Sequence, residues 1–232
     1  SEKASQPMYS KEFNTMILFN GEIYNHRGLR KDLESKGIKF LSSHSDTEVL
    51  LNGLSVYGDE FLEKLTGQFA IAFLDMRNMK LKLIKDRVGQ KPLFYKIDNE
   101  NITFSSNLKT LIAVNNDHEV DSESYIDFLN YGVVPSPKTI FKNVYKLRPA
   151  EILNLDLNKD FKNYKTNIYW NLQDFVSNKK FQREEFENLL NSAVKYRTES
   201  DVDFGALLSG GLDSTCIVKS LNLSSAPVNT FS

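Results

Sequence analysis

The sequence contains a single cysteine, Cys216, which excludes an internal disulfide and suits a reducing, cytoplasmic compartment. Its three histidines, His26, His44 and His118, are scattered, so no zinc-type ligand spacing exists. No apolar run reaches the roughly 18 residues that a transmembrane helix needs, and the start carries no cleavable signal pattern. Net charge is also close to absent: 29 Lys and Arg stand against 30 Asp and Glu, leaving −1. That balance gives no electrostatic reason to expect nucleic acid or a membrane as partner. Internal repeats, low-complexity tracts and coiled-coil heptads are missing as well.

What remains is the composition of a folded protein, 41% hydrophobic and 25% charged over 232 residues. That length allows one large domain, or one and a half ordinary ones. The chain begins at Ser1 and ends in PVNTFS, where Val228 and Phe231 read as the start of another buried strand. Both ends look cut inside structured sequence, and a fragment is expected.

Residues 16–19 read as a short apolar strand broken at Asn20-Gly21, a pair with two meanings. Behind an apolar run it signals a tight turn. Chemically, an Asn amide beside a bare Gly N–H is a pair of donors for a developing oxyanion. A helix is predicted over 26–36, with Leu29 and Leu33 on one face and Gly37 as its stop. Ser45 and Glu48 are spaced as a capping box before the apolar positions 49–54. Residues 69–74, FAIAFL, form a continuous apolar run expected of a strand buried on both faces, and Leu81 and Leu83 alternate with lysines in the next. Residues 75–78 and 98–101 supply turns. Residues 115–121 read as a polar connection, and 133–157 as short strand pieces interrupted by three prolines. Residues 158–167 look like polar surface, and 184–196 an amphipathic helix with Phe186, Leu189, Leu190, Ala193 and Val194 on one stripe.

The clearest chemistry is LLSGGLDS, residues 207–214. A strand delivers the chain to Ser209-Gly210-Gly211, and a helix is expected to open at Ser214. Two glycines let backbone N–H groups approach a phosphate, and the helix N-terminus adds positive potential. Asp213 is unusual beside an anion unless magnesium offsets its charge. Neither the Walker spacing nor a G-x-S-x-G elbow is present. A Gly turn with Ser214 merely capping a helix is the plainer alternative. Cys216 reads as a small buried apolar residue.

SDVDFGALLSGGLDSTCIV resembles the pyrophosphate-binding loop of ATP-pyrophosphatases, in the form found in asparagine synthetases, with Asp203 where Pro is usual. SQPM, FNGEIYNH, SDTEVLL, GQFAIAFLD, KDRVGQKPLFY and FSSNLKTLI resemble, in order, the class II glutamine amidotransferase domain of the same enzymes. The resemblance implies an α+β four-layer αββα N-terminal-nucleophile hydrolase fold over residues 1–165. Over 181–232 it implies the start of an α/β parallel-sheet domain of the adenine nucleotide alpha hydrolase kind. It implies glutamine hydrolysis whose ammonia serves an ATP-dependent ligase, with aspartate, glutamine, ATP and Mg2+ as small-molecule ligands and a homodimer among the allowed assemblies.

By the same resemblance Asn20 and Gly21 form the oxyanion hole, and Asn20, Gly21, Glu22 and Asp46 bind glutamine. Leu208, Ser209, Gly210, Gly211, Asp213 and Ser214 bind ATP and its pyrophosphate; no residue is assigned as a certain metal ligand, and Asp213 is the one candidate for a contact to magnesium. The family's nucleophile is an N-terminal cysteine, which this chain lacks; SEKASQPM matches an internal family segment, so Ser1 is not expected to replace it. Asn107 replaces a usual Glu, and Ala150 the Gly of a Pro-Gly turn. Alternatives of the same architecture act on another carboxylate, or are amide ligases with an inactive glutaminase half.

Overall fold

The computed structural model describes residues 5–99, 101–115, 119–198, 203–224 and 228–232. The expectation about Ser1 lies outside them. The chain divides into two compact units, Ser1–Asp174 and Phe175–Ser232.

In the first unit, β1 (Met8–Ser10), β2 (Thr15–Ile23), β3 (Gly67–Asp75), β4 (Lys80–Lys85), β8 (Glu151–Asp156) and β9 (Lys165–Ile168) form an antiparallel sheet in that spatial order. Helices α1 (His26–Ser35), α2 (Asp46–Tyr57) and α3 (Phe61–Lys64) cover one face. A smaller sheet, β6 (Ile102–Ser105), β5 (Phe94–Ile97) and β7 (Tyr145–Lys146), covers the other. The period of two along β3 explains why its run is apolar throughout. Phe69, Ile71 and Phe73 pack toward the helices with Ile17, Ile23, Leu33 and Leu50. Ala70 and Ala72 face the second sheet with Leu83, Leu93 and Tyr95. Each fully buried Ile or Leu of these rows contributes about 2 kcal/mol. Beyond the second sheet, Leu111 and Ile112 of α4 (Leu108–Asn115) pack on Phe94, Val144 and Phe141, so Phe94 and Tyr95 point to opposite layers. The order is helix, sheet, sheet, helix: the expected four layers.

The structure corrects the reading of β2. The strand does not break at Asn20-Gly21 but runs on to Ile23, with every residue from Thr15↔Asp75 to Ile23↔Gly67 paired to β3. The turn into α1 comes at Tyr24-Asn25. There Asn25 donates to Lys64 O (2.8 Å) and accepts from Thr66 N (2.9 Å). The predicted capping box is only half formed. Ser45 Oγ accepts from Glu48 N at 3.2 Å, but the Glu48 carboxylate turns to Leu41 N (2.5 Å) and Ser42 N (2.9 Å).

Several other features have local causes. Asp75 Oδ1 accepts from Arg77 N and Asn78 N and sets the β3–β4 turn. Asn107 Oδ1 accepts from Lys109 N at 2.9 Å and caps α4, a role in which Asn is favoured. Ala150 takes φ 55°, the left-handed region where the family's Gly is at ease. A helix not read from the sequence, α5 (Ser122–Tyr131), starts where Asp121 accepts from Ser124 N at 3.1 Å.

The second unit holds α6 (Arg183–Tyr196), β10 (Gly205–Leu207), α7 (Leu212–Ser224) and β11 (Asn229–Phe231). Strands β10 and β11 pair in parallel, as a β–α–β unit requires. Val194, Ala206 and Leu221 make a small core with Leu190, Val218 and Val228. Phe186 and Leu189 of the predicted α6 stripe remain more than half exposed. Cys216 is half-buried rather than buried. Among the described residues no helix is long and apolar enough to cross a membrane.

Candidate functional site

The far end of β2 is built by its two neighbours. β1 pairs only as far as Met8↔Ile17, so residues beyond Ile17 have an open edge on that side. On the other side, Phe69 of β3 turns both backbone groups away from β2: its N–H donates to Asp86 Oδ2 (3.2 Å), and its carbonyl accepts from Asp86 N (2.9 Å). Gly21, opposite Phe69, therefore sits in a non-hydrogen-bonded pair, where strand backbones approach most closely. A Cβ there would lie 2.0 Å from Gln68 O and 2.8 Å from Phe69 Cα, at φ 157°, so only glycine fits.

The same alternation sends the N–H groups of Phe19, Gly21 and Ile23 to the open edge. Phe19 N–H donates to Gln6 Oε1 at 2.6 Å and Ile23 N–H to Asp46 Oδ2 at 3.2 Å. Between them, the Gly21 N–H has no acceptor among the described residues. The Asn20 and Glu22 side chains are exposed, stand on the strand face opposite Ile23, and have no partner among the described residues. Asn20 lines an open cleft of about 220 Å³ with Gln6, Leu18, Phe104, Ser105 and Ser106. Asp46, half-buried at the start of α2, keeps Oδ1 for Thr47 Oγ1 at 3.4 Å. The structure thus gathers Asn20, Gly21, Glu22 and Asp46 at one strand end. The sequence offered no role for Gln6; its position before a proline and β1 was the signal available.

The KDRVGQKP segment is a support. Asp86, fully buried, accepts from the N–H groups of Phe69, Val88, Gln90 and Lys91. Arg87 donates to the carbonyls of Leu62, Glu63 and Leu65, tying the end of α3 to the sheet. Burial holds the Lys85 ammonium below its usual pKa, although its Nζ donates to Leu147 O at 3.1 Å. Tyr169, which donates to Lys85 O at 2.9 Å, is pushed up by the same burial.

In the second unit, Leu208 N–H donates to Phe231 O (2.7 Å), extending the sheet by one bond before the loop begins. Gly210 takes φ 77°, and a Cβ on it would meet nothing within 4 Å. The helix opens at Leu212, two residues earlier than expected, which puts Asp213 and Ser214 inside its first turn. Ser214 is therefore not a cap. Its hydroxyl donates to Gly211 O (3.0 Å) and lies 3.1 Å from Ser209 Oγ. Ser209, Gly210, Gly211 and Asp213 are exposed. Leu208, Gly210, Thr215 and Lys219 line a second cleft of about 480 Å³. First-turn N–H groups and two hydroxyls suit a phosphate. Among the described residues no group of three His, Cys, Asp or Glu gathers that could hold a metal, at Asp213 or elsewhere.

Comparison with known proteins identifies the families to which the two parts of the chain are similar. Residues 1–170 match the glutamine amidotransferase domain model, and residues 185–232 the asparagine synthase model. Asparagine synthetase [glutamine-hydrolyzing] 1 of Bacillus subtilis is 33% identical over 231 residues, covering 100% of this chain and 36% of that protein. A putative asparagine synthetase [glutamine-hydrolyzing] 2 of Methanocaldococcus jannaschii is 36% identical, covering 88% of this chain and 39% of its own length. The chain thus spans little more than a third of these relatives. Among solved structures, the glutamine phosphoribosylpyrophosphate amidotransferase of B. subtilis superposes with a TM-score of 0.51 at 14% identity, over 100% of this chain and 49% of its own. At that identity the likeness concerns the fold, which is that of the N-terminal-nucleophile amidotransferases. The chain belongs to the glutamine amidotransferase domain family, in the form that occurs in glutamine-hydrolysing asparagine synthetases.

Proposed function

We propose that the chain forms part of an ATP-dependent, glutamine-hydrolysing asparagine synthetase, converting aspartate, glutamine, ATP and water to asparagine, glutamate, AMP and pyrophosphate. The observation that carries this reading is the Gly21 N–H on the β2 edge, next to the Asn20 amide in a cleft, neither with a partner among the described residues. Attack on the glutamine carboxamide places negative charge on its oxygen. Asn20 Nδ2 and Gly21 N–H then donate to it, each contributing about 3–4 kcal/mol in the transition state. Both belong to a strand held by neighbours on two layers, so little reorganisation accompanies the reaction. Glu22 and the Asp46 carboxylate lie beyond them, suited to the substrate ammonium. The attacking group would be the family's N-terminal cysteine, which residues 1–232 do not contain.

In the second unit, Ser209, Gly210, Gly211 and Ser214 would hold the pyrophosphate of ATP, with Leu208 against the nucleotide. Magnesium, when bound, supplies the charge that lets Asp213 stand beside phosphates. Domain limits of 1–165 and 181–232 and a cytoplasmic location belong to this reading. The test is activity of the full-length gene product with aspartate, ATP and glutamine. Asparagine, AMP and pyrophosphate are expected in equal amounts; glutaminase activity with no asparagine would contradict the acceptor assignment.

A further inference from the structure

β1 and β2 pair so that residue numbers sum to 25, as in Met8↔Ile17 and Ser10↔Thr15. Continued in that register, the backbone of Gln6 would stand opposite Phe19. It does not pair there: the strand ends at Met8, after Pro7, which has no N–H to give a ladder. Instead the Gln6 side chain reaches the place its backbone would have taken, and Oε1 accepts the Phe19 N–H at 2.6 Å. Two residues further along, about 7 Å on a strand, no described residue accepts from the Gly21 N–H. Two residues beyond that, Asp46 Oδ2 takes the Ile23 N–H at 3.2 Å. Of three equivalent donors on one edge, side chains close the outer two.

We propose that Gln6 is a positioning residue for glutamine hydrolysis. Its side-chain carbonyl replaces a strand partner at Phe19, so among the described residues Gly21 is left as the one open donor between Phe19 and Ile23, and the strand is anchored beside it. Without this closure a carbonyl could bind at Phe19, about 7 Å from the productive position, and the strand end would lose one of the two side-chain hydrogen bonds on its outer edge. The inference rests on Asn20-Gly21 being the oxyanion site.

The test uses the full-length enzyme with Gln6→Met, similar in length but with only a weakly accepting thioether, and Gln6→Glu, which keeps an oxygen acceptor. Gln6→Met is expected to lower kcat for glutamine hydrolysis about tenfold, less than the loss of an oxyanion donor itself, with KM for glutamine nearly unchanged. Synthesis from free ammonia should stay at the wild-type rate. Gln6→Glu should recover most of the kcat. Hydrogen exchange of the Phe19 amide should speed up in the Met variant and not in the Glu variant. Wild-type kcat in Gln6→Met, failure of Glu to rescue, or parallel loss of both activities would each overturn the proposal. Asn20→Ala separates the two claims. If it leaves hydrolysis intact, the oxyanion reading fails; if it abolishes hydrolysis while Gln6→Met is normal, only the role of Gln6 fails.

Discussion

The two glycine sites of this chain sit in opposite surroundings. Gly21 lies on an interior strand, pressed onto β3, with Ile17, Ile23 and Phe69 buried beside it. Gly210 lies in the turn between β10 and α7, where an added Cβ would meet nothing within 4 Å. Both have positive φ, yet the first is demanded by packing and the second by backbone conformation alone. Donor geometry can therefore be fixed by tertiary pairing or by a local strand–loop–helix turn, and mutations should tell the two apart.

Gly21→Ala should have the largest effect, since its Cβ meets backbone rather than a movable side chain. A loss of more than about 4 kcal/mol is expected, in the range of severe core changes. The single Trp170, in the first unit, provides the fluorescence signal for denaturant unfolding. Asp86→Ala comes next: four backbone donors lose their acceptor, at a cost of about 3 kcal/mol, read by the same unfolding curve. Gly210→Ala should cost only about 1 kcal/mol, the price of a left-handed alanine, seen as faster hydrogen exchange confined to the second unit. If it matched Gly21→Ala, the contrast would be wrong.

The smallest effect concerns Asp121, whose carboxyl is held below its ordinary value by the Ser124 hydroxyl and backbone N–H. A depressed folded pKa stabilises the fold above the unfolded value of 3.8 and ceases to do so as pH falls through the folded value. Asp121→Ala should therefore lower stability at neutral pH, and the difference from wild type should vanish in acid titrations of the melting temperature.

Legibility followed the range of the forces. Leu29 and Leu33, the double-faced run of β3 and the β–α–β loop of the second unit were readable because period and turn chemistry are local. The path of β2 was not, because Asn-Gly favours a turn locally while pairing with β3 along all of 15–23 overrides it. α5 sets Tyr125, Ile126, Phe128 and Leu129 on one side of the helix, a local signal that the sequence carried, yet all four stay exposed. The carboxylate of Glu48 was misplaced because it folds back onto the N–H groups of Leu41 and Ser42 instead of onto the cap residue. For the site, motif resemblance named Asn20, Gly21, Glu22 and Asp46, but only the register shows which N–H is left open. Gln6 becomes visible only once β1 is seen to stop at Met8.

The most direct measurement of the central claim is made on full-length enzyme carrying Asn20→Ala, assayed with glutamine and with free ammonia. Glutamine hydrolysis should fall by about 10²–10³-fold, while asparagine synthesis from ammonia stays near wild type. Equal loss of both activities would mean that the end of β2 is structure and not a catalytic device.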